Sequence, residues 1–190
     1  MNKENYILEC HNIRKAFGGT QALKNGELYI RPGEVHALLG ENGAGKSTLM
    51  KCIIGLYSFD GGEILYEGKP FRARGPVEAL NAGISMIHQE LNPEPHLTIA
   101  ESIFLNREST RGIFLDKKRQ NQKADEILKK FDFPYGAGTL MKKLTLAQMQ
   151  MIEIIKAVSC NARLIIMDEP TLGIDPGGMR QLIALIRDLA

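Results

Sequence analysis

The sequence is poor in several features that mark secreted, zinc-binding or nucleic-acid-binding proteins. It contains only three cysteines, Cys10, Cys52 and Cys160, which lie far apart and form no CxxC pair. This scarcity argues against a disulfide framework or a zinc site and fits a reducing cytosol. Neither sign of charge dominates: the formal net charge is +2, which by itself indicates no preference for nucleic acid or a membrane surface.

Long apolar runs are absent as well. No run approaches the roughly 20 residues that a membrane-spanning helix requires, and the stretch MNKENYILECHN lacks the apolar core of a signal peptide. Any role at a membrane is therefore expected to depend on a partner. The hydrophobic fraction of 44% and the charged fraction of 24% are ordinary for a globular protein. A chain of 190 residues suffices for one domain with a substantial core.

The pattern of apolar residues predicts an α/β protein. A helix is expected after the glycine-rich stretch near residue 45, with Gly55 at its end, and an amphipathic helix over 179–189. Residues 94–143 are mainly helical in pattern and are interpreted as a subdomain inserted into an α/β core. A turn is expected at residues 17–19. Strands are predicted over 6–13, 27–30, 35–39, 63–66, 84–88 and 163–167.

A glycine-rich motif lies between a predicted strand and a predicted helix. The stretch GENGAGKS matches the pattern G-x-x-x-x-G-K-[ST] in full. Glycines let the backbone bring its N–H groups close to phosphate oxygens, and the following helix adds the positive end of its dipole. Lys46 is expected to reach the β- and γ-phosphates of ATP, and Ser47 to place a hydroxyl on Mg²⁺. The predicted nucleotide-binding residues are Gly40, Glu41, Asn42, Gly43, Ala44, Gly45, Lys46, Ser47 and Thr48.

Two carboxylates follow the last predicted strand. Asp168 and Glu169 come directly after LIIM, at the carboxyl end of a strand, where ligands gather in open α/β sheets. Asp168 is placed to hold Mg²⁺ directly or through water, and Glu169 to orient and polarise an attacking water. The competing interpretation is that Asp-Glu-Pro-Thr only ends a strand and begins a turn. The complete phosphate loop favours the catalytic interpretation.

The phosphate loop and the acidic pair together resemble the ATP-binding cassette, the motor subunit of ABC transporters. The resemblance implies a P-loop NTPase core, a mostly parallel sheet with flanking helices, together with an N-terminal antiparallel β subdomain and an inserted α-helical subdomain. It implies one domain over 1–190, with a nucleotide-binding core at 1–88 and 160–190. The helical subdomain is expected over about 89–145, leading into the helix that carries the family's signature motif.

The resemblance also implies roles for individual residues. Phe17 lies where the family has an aromatic residue that stacks on adenine, although a core or turn phenylalanine would give the same pattern. Gln89 lies where the family has a glutamine that senses Mg²⁺ and the γ-phosphate. Asp175 lies in a loop that crosses the dimer interface, although a turn alone would explain Asp-Pro-Gly-Gly. The implied metal ligands are Ser47, Gln89 and Asp168, and the implied catalytic residues are Lys46 and Glu169.

Three longer stretches are similar to the first cassette of the tandem ATPases that power simple-sugar importers of the ribose, galactose or xylose type. They are HALLGENGAGKSTLMK, ISMIHQELNPEPHLTIAESIFLNRE and LAQMQMIEIIKAV. This similarity implies a second cassette and permease subunits as partners, a place at the cytoplasmic face of the membrane, and no nucleic acid. The stretch LGIDPGG is more typical of exporters. The alternatives are a soluble ABC-type ATPase without a membrane partner and a non-hydrolysing nucleotide-binding half.

The stretch LTLAQ at residues 144–148 allows two interpretations. Thr145 with Gln148 three residues later predicts a capping box at the start of a helix. In the family the same place holds the signature Leu-Ser-Gly-Gly-Gln, which grips the γ-phosphate bound to the opposite subunit. The resemblance therefore assigns Thr145, Leu146, Ala147 and Gln148 to the partner's ATP. Because Leu146 and Ala147 replace both glycines, we expect one stronger and one weaker hydrolytic site, with Ala147 strained if its φ is positive.

The family's switch histidine is not in place. Cassettes carry it after the catalytic glutamate, whereas the histidines here are His11, His36, His88 and His96, and the chain ends at Ala190. We therefore expect a cassette that is incomplete at its C-terminus and that binds ATP but hydrolyses it poorly. His88 and His96 lack a third ligand at a helical or turn spacing, which argues against a metal pair.

Overall fold

A computed structural model describes residues 5–41, 43–87, 94–105, 107–111, 114–171 and 173–189. The chain divides into two compact units. One comprises Met1–Met86, Arg163–Ile166 and Arg187–Ala190, and the other comprises Ile87–Ala162 and Met167–Ile186. The predicted boundaries between a nucleotide-binding core and a helical subdomain stay a prediction.

The described residues contain both strands and helices, which confirms the α/β class. In chain order the strands are β1 (Leu8–Phe17), β2 (Thr20–Ile30), β3 (Gly61–Tyr66), β4 (Lys69–Pro70), β5 (Ile84–Ile87), β6 (Thr110–Arg111), β7 (Phe114–Leu115) and β8 (Leu164–Met167). The α-helices are α1 (Lys46–Ile53), α2 (Pro76–Asn81), α3 (Ile99–Ile103), α4 (Lys117–Lys130), α5 (Leu146–Ser159) and α6 (Pro176–Leu189). Within the described ranges, no helix has the length and apolar character needed to cross a bilayer.

The first four strands form an antiparallel sheet in the order β2-β1-β3-β4, as predicted for the N-terminal part. A tight turn joins β1 to β2 at Gly18 and Gly19, whose φ angles of +50° and +87° are left-handed and therefore suit glycine. Both strands are longer than the predicted 6–13 and 27–30. Most of the added residues are exposed, and Leu23 is the one added residue of the two strands that is buried, so they leave no apolar alternation in the sequence.

The core of the first unit forms between this sheet and helix α1. Leu8, Ile13 and Ile64 from the sheet are buried in one cluster with Leu49 and Ile53 from the helix. Burying each such side chain contributes roughly 1.5–3 kcal/mol. These contacts hold the helix, and the loop that precedes it, against the sheet.

Gly55 follows the end of α1, as predicted. Its φ is +73°, and its N–H donates to the carbonyl of Cys52 at 3.1 Å. A Cβ at this position would collide with the backbone of Ala73. Both the backbone conformation and the available space therefore require glycine.

Strands β5 and β8 pair with each other. The N–H of Leu164 donates to the carbonyl of Gly83 at 3.1 Å, and the N–H of Asp168 donates to the carbonyl of Ile87 at 3.1 Å. Both partners advance along the chain in the same direction, so the pair is parallel. The two predicted strands at 84–88 and 163–167 are confirmed, except that residue 88 lies outside the described residues.

The prediction of a buried strand over residues 35–39 is wrong. These residues are assigned to no strand, and Val35 and Leu39 are 59% and 89% exposed. Only Leu38 packs partly against the core. An apolar run becomes a buried strand only where neighbouring strands bond its backbone and helices cover its faces, and here β5 and β8 bond each other instead.

Helices α3, α4 and α5 build the core of the second unit. Ile99 and Ile103 from α3, Leu128 from α4, and Ile152 and Ile155 from α5 are buried in one hydrophobic cluster. Helix is the predominant regular structure in the described part of the predicted segment 94–143, which contains α3, α4 and a short 3-10 helix at Met141–Lys143. The β6–β7 hairpin was not predicted, because strands of two residues are too short to show a periodic pattern.

Helix α6 begins at Pro176 rather than at the predicted residue 179. The carboxylate of Asp175 accepts hydrogen bonds from the N–H groups of Gly177 at 2.9 Å and Gly178 at 3.3 Å. An acidic cap followed by proline at the first helical position is a favoured helix start. The Asp-Pro-Gly-Gly stretch therefore caps and begins the helix, whereas the sequence alone suggested a turn before it.

Candidate nucleotide-binding site

The glycine-rich loop leads directly into helix α1. Gly43 and Gly45 have left-handed φ angles of +84° and +88°, which L side chains rarely adopt. A Cβ on Gly45 would lie 2.6 Å from the side chain of Leu23 and 2.7 Å from the carbonyl of Ala22. Both the loop's conformation and its close approach to β2 depend on glycine at position 45. Asn42 was also predicted to bind nucleotide and lies outside the described residues.

Lys46 is the first residue of α1 and folds back over the loop. Its Nζ donates to the carbonyl oxygens of Gly40 at 2.6 Å and Glu41 at 2.9 Å. The first turn of the helix contains no acidic residue, and Gly45 at its N-cap supplies no side-chain hydrogen bond. The positive end of the helix dipole and the ammonium group of Lys46 therefore lie at the same place, which is an arrangement that suits a phosphate.

Phe17 ends strand β1, and its side chain is partly open to solvent. It is 42% exposed, and its ring centroid lies 5.0 Å from that of Tyr57 at an interplanar angle of 74°. The Nζ of Lys15 lies 5.2 Å from the ring centroid of Phe17. The residue is thus not a core phenylalanine. Its role as an adenine platform stays a prediction.

Asp60 holds the chain just before Phe17, and the sequence did not single it out. Its Oδ2 accepts a hydrogen bond from the N–H of Ala16 at 2.7 Å, and its Oδ1 accepts one from the Nζ of Lys15 at 3.0 Å. The Asp60 N–H donates to the carbonyl of Arg14 at 2.7 Å. The partners lie more than forty positions apart in the sequence, so no local pattern could have indicated the contact.

Asp168 and Glu169 follow β8, as the sequence predicted. Asp168 is half-buried and Glu169 is exposed. The φ of Glu169 is +47°, a left-handed conformation that costs a non-glycine residue about 1 kcal/mol. Strain of this kind clusters at functional sites, and the catalytic role of Glu169 stays a prediction. Gln89, the third predicted metal ligand beside Ser47 and Asp168, lies outside the described residues.

The capping box at the start of α5 is confirmed. The N–H of Gln148 donates to Oγ1 of Thr145 at 3.3 Å, and the Thr145 N–H donates to Oε1 of Gln148 at 2.9 Å. Leu146 is 39% exposed. Ala147 is buried and lies within the helix; it is not among the described non-glycine residues with positive φ. The condition for backbone strain at Ala147 is therefore not met, because the cap places this residue in an ordinary helical turn.

The methyl group of Ala147 lies against Gly178, in the first turn of α6. A Cβ on Gly178 would come within 2.5 Å of the Ala147 Cβ and 3.0 Å of the Ile174 side chain. Glycine at 178 therefore makes room for alanine at 147. The first turns of α5 and α6 therefore pack against each other at Ala147 and Gly178.

The fold and the loop define a P-loop nucleotide-binding protein of the cassette type. Its structure is similar to that of a nucleotide-free ATP-binding cassette from an ABC transporter, with 27% identity and a TM-score of 0.85 over 97% of this chain and 77% of that chain. A cassette in its ADP conformation is similar at 29% identity and a TM-score of 0.84, with 97% and 76% covered. The family model described as ABC transporter matches residues 23–172, and the chain belongs to this family.

Curated relatives of this chain are sugar import proteins by name. The ribose import ATP-binding protein of Yersinia pestis is 45% identical over 180 residues, which cover 95% of this chain and 36% of the relative. A putative ribose/galactose/methyl galactoside import ATP-binding protein of Rhizobium etli is 48% identical over 190 residues, which cover 97% and 36%. The chain therefore spans about a third of the length of these relatives.

Proposed function

We propose that this chain is the ATP-binding and ATP-hydrolysing motor part of an ABC importer for a simple sugar. The observation that carries the proposal is the phosphate loop, in which left-handed glycines lead into a helix whose first turn carries no acidic residue. The names of the ribose and ribose/galactose/methyl galactoside import relatives support the importer role and the sugar class.

The phosphate loop supplies the ATP-binding part of the proposal. Backbone N–H groups at the start of α1 and the ammonium of Lys46 are donors without competing carboxylates in the first helical turn. Phosphate oxygens are stronger acceptors for an ammonium than the carbonyls of Gly40 and Glu41, which now receive its hydrogen bonds. Phe17 adds an exposed aromatic ring for the base.

Mg²⁺ is proposed to be held by Ser47, Asp168 and Gln89. Among the described residues there is no group of three His, Cys, Asp or Glu side chains that could hold a metal ion. The proposed set of one hydroxyl, one carboxylate and one side-chain amide instead fits magnesium, which binds through one or two carboxylates together with substrate phosphates and waters. When bound, the ion neutralises charge that develops on the transferred phosphoryl group.

Glu169 is proposed to orient and polarise the water that attacks the γ-phosphate. A carboxylate accepts a proton from a bound water and so acts as a general base. Its exposed side chain is directed by a left-handed backbone. This conformation is locally unfavourable, which supports a functional reason for keeping it.

A second cassette is the proposed partner for the signature stretch. In the capping box, Oγ1 of Thr145 and Oε1 of Gln148 each accept one hydrogen bond. The threonine hydroxyl still has its own proton, which it can donate to a phosphate. Leu146 covers part of this surface with an exposed apolar side chain where the family has glycine. We therefore propose that the partner's ATP is held more weakly than the ATP on this chain's own phosphate loop.

Permease subunits are the proposed membrane partners, at the cytoplasmic face. One solved relative, 26% identical with a TM-score of 0.80, is described as part of an ABC transporter complex. ATP-driven closing and reopening of two cassettes would move the permease through the helical subdomain. This coupling accounts for a transport role in a chain whose described helices do not span a bilayer.

Two substitutions test the proposal in the intact protein. Lys46→Ala should weaken Mg-ATP binding about tenfold or more, because a charge-assisted hydrogen bond donor to phosphate is lost. Glu169→Gln should keep ATP binding but slow hydrolysis roughly 100-fold or more, because the general base is lost. Calorimetric binding and phosphate release measure the two effects.

Lys118→Ala and Glu126→Gln are matched controls, since both residues lie exposed on α4. Neither should change binding or hydrolysis. Hydrolysis by Glu169→Gln at the rate of the unmodified protein would refute the catalytic role. Tight ATP binding with no hydrolysis by the unmodified protein, even with its membrane partners, would instead establish a non-hydrolysing nucleotide-binding half.

A further inference from the structure

We propose that Asp60 is a positioning residue for the adenine-stacking ring of Phe17. The inference rests on the proposed function, because it assumes that Phe17 receives the base. Asp60 contacts each of the three residues that precede Phe17: the carbonyl of Arg14, the side chain of Lys15 and the N–H of Ala16. It thereby holds the segment directly before the Phe17 ring in place.

Both carboxylate oxygens of Asp60 accept hydrogen bonds in these contacts. The hydrogen bond from the Ala16 N–H, followed by that from the Lys15 ammonium, holds the pKa of Asp60 below its ordinary value. The Lys15 side chain is only 11% exposed, whereas that of Asp60 is 48% exposed. The lysine is thus held between the carboxylate and the ring of Phe17, 5.2 Å from its centroid.

Tyr57 holds the other side of the arrangement. Its ring meets that of Phe17 edge-on at 5.0 Å, and its N–H donates to the carbonyl of Lys51 in α1 at 3.1 Å. Helix α1 begins at the phosphate loop. The same helix therefore carries the phosphate-binding start at one end and supports the aromatic platform at the other.

The contacts that hold Phe17 differ from those that shape the phosphate loop. Asp60 and Tyr57 contact Phe17 and its neighbours, whereas Gly43 and Gly45 of the phosphate loop have left-handed φ angles of their own and Gly45 approaches β2. A loss of Asp60 should therefore weaken recognition of the base without weakening recognition of the phosphates. A purely structural role in the fold would weaken both together.

The experiment compares two ligands on the intact protein by calorimetry: Mg-ATP and inorganic tripolyphosphate with Mg²⁺, which lacks the base. Asp60→Ala should weaken Mg-ATP binding about fivefold to tenfold, in the range of one base–aromatic stack. Tripolyphosphate binding should stay unchanged. Asp60→Asn keeps an acceptor for the Ala16 N–H and should lose less than Asp60→Ala, which supplies a second variant if the alanine form folds poorly.

Asp125→Ala is the matched control. Asp125 accepts a hydrogen bond from the Ala137 N–H at 2.7 Å, the same length as the bond from Ala16 to Asp60, but in the second unit. Asp125→Ala should lower the stability of the protein, and it should not change the affinity for Mg-ATP relative to that for tripolyphosphate. Phe17→Ala should reproduce the selective loss, and Phe17→Ala with Asp60→Ala should lose no more than Phe17→Ala alone.

Each result has one meaning. Equal weakening of both ligands by Asp60→Ala, or no weakening of either, overturns the positioning role while leaving Phe17 and the phosphate loop intact. Phe17→Ala without effect on Mg-ATP overturns the adenine platform and the inference with it. If the unmodified protein binds neither tripolyphosphate nor ATP, the proposed function itself is overturned.

Discussion

At the scale of single residues, Glu169 joins an exposed carboxylate to a left-handed backbone. The other described non-glycine residues with positive φ are Asn12, Glu67, Asp132 and Asn161, and three of these are the Asn and Asp types that tolerate the conformation. A glutamate tolerates it less well. The side chain is therefore kept at some cost to local stability, a cost that Glu67 shares.

Glu169→Gly should reveal this cost as a change in the free energy of unfolding. Glycine adopts positive φ without steric penalty, so the free energy of unfolding should rise by about 0.5–1 kcal/mol, while ATP hydrolysis should be lost. Urea unfolding and phosphate release measure the two quantities on the same sample. Glu126→Gly in the exposed face of α4 is the control and should lower stability by about 1 kcal/mol. A lower stability for Glu169→Gly would contradict the strain.

At the scale of elements, local patterns were predictable and long-range contacts were not. The capping box of Thr145 and Gln148 follows from residues three positions apart, and the end of α1 shortly before Gly55 follows from one glycine. The failed strand at 35–39 depended on which strands lie beside it, and the Asp60 contact joins residues more than forty positions apart. Sequence patterns carry local preferences, whereas pairing partners are chosen by the whole fold.

The contact between α5 and α6 gives a prediction at this scale. Gly178→Ala should destabilise the protein by about 1–3 kcal/mol, because its Cβ would overlap that of Ala147. Ala147→Gly should cost about 1 kcal/mol through lower helix propensity and a lost buried methyl. The double variant should be more stable than the sum of the two changes by at least about 1 kcal/mol.

Chemical unfolding of the unmodified protein, the two single variants and the double variant measures the four free energies that this comparison needs. The swap leaves one methyl group at the contact, so most of the Gly178→Ala loss should be recovered. The Ile174 side chain, 3.0 Å from the new Cβ, limits full recovery. Simple additivity of the two changes would show that the helices do not meet through this pair.

At the scale of the whole molecule, fold class and nucleotide chemistry could be predicted because the phosphate loop is a compact local motif. The roles of Phe17 and Asp168 could only be proposed, because each depends on where a distant segment lies. The hydrogen-bonded surface carboxylates were predictable only in part. Glu27 and Asp60 accept hydrogen bonds from the N–H groups of Asn12 and Ala16, which are distant in the sequence. Glu34 and Glu101 accept them from the N–H groups of Arg31 and Thr98, only three positions away.

These carboxylates predict loss of stability in acid. Donor groups such as a tyrosine hydroxyl, an imidazole and backbone N–H groups lower the pKa of each below its ordinary value, 4.5 for Glu and 3.8 for Asp. A lowered pKa in the folded state stabilises the protein above the ordinary value, and this stabilisation is lost as the pH falls through the folded-state pKa. The melting temperature should therefore hold near neutral pH and fall below about pH 4.5.

Thermal melts between pH 7 and pH 3 measure this loss. Replacing Glu27 and Glu34 together by Gln should lower the melting temperature at neutral pH but shrink its acid-dependent drop. Glu126→Gln, for which no such hydrogen bonds apply, should leave the drop unchanged. A melting temperature that stays constant down to pH 3 would show that these carboxylates contribute nothing to folding.

The packing of Ala147 on Gly178 also bears on how this sequence can change over generations. A side chain at position 178 is disfavoured while the methyl at 147 remains, and glycine at 147 would remove that overlap. The two positions should therefore drift as a pair, with the order of exchange constrained. A sequence that keeps Gly178 can carry either alanine or glycine at position 147 without this overlap.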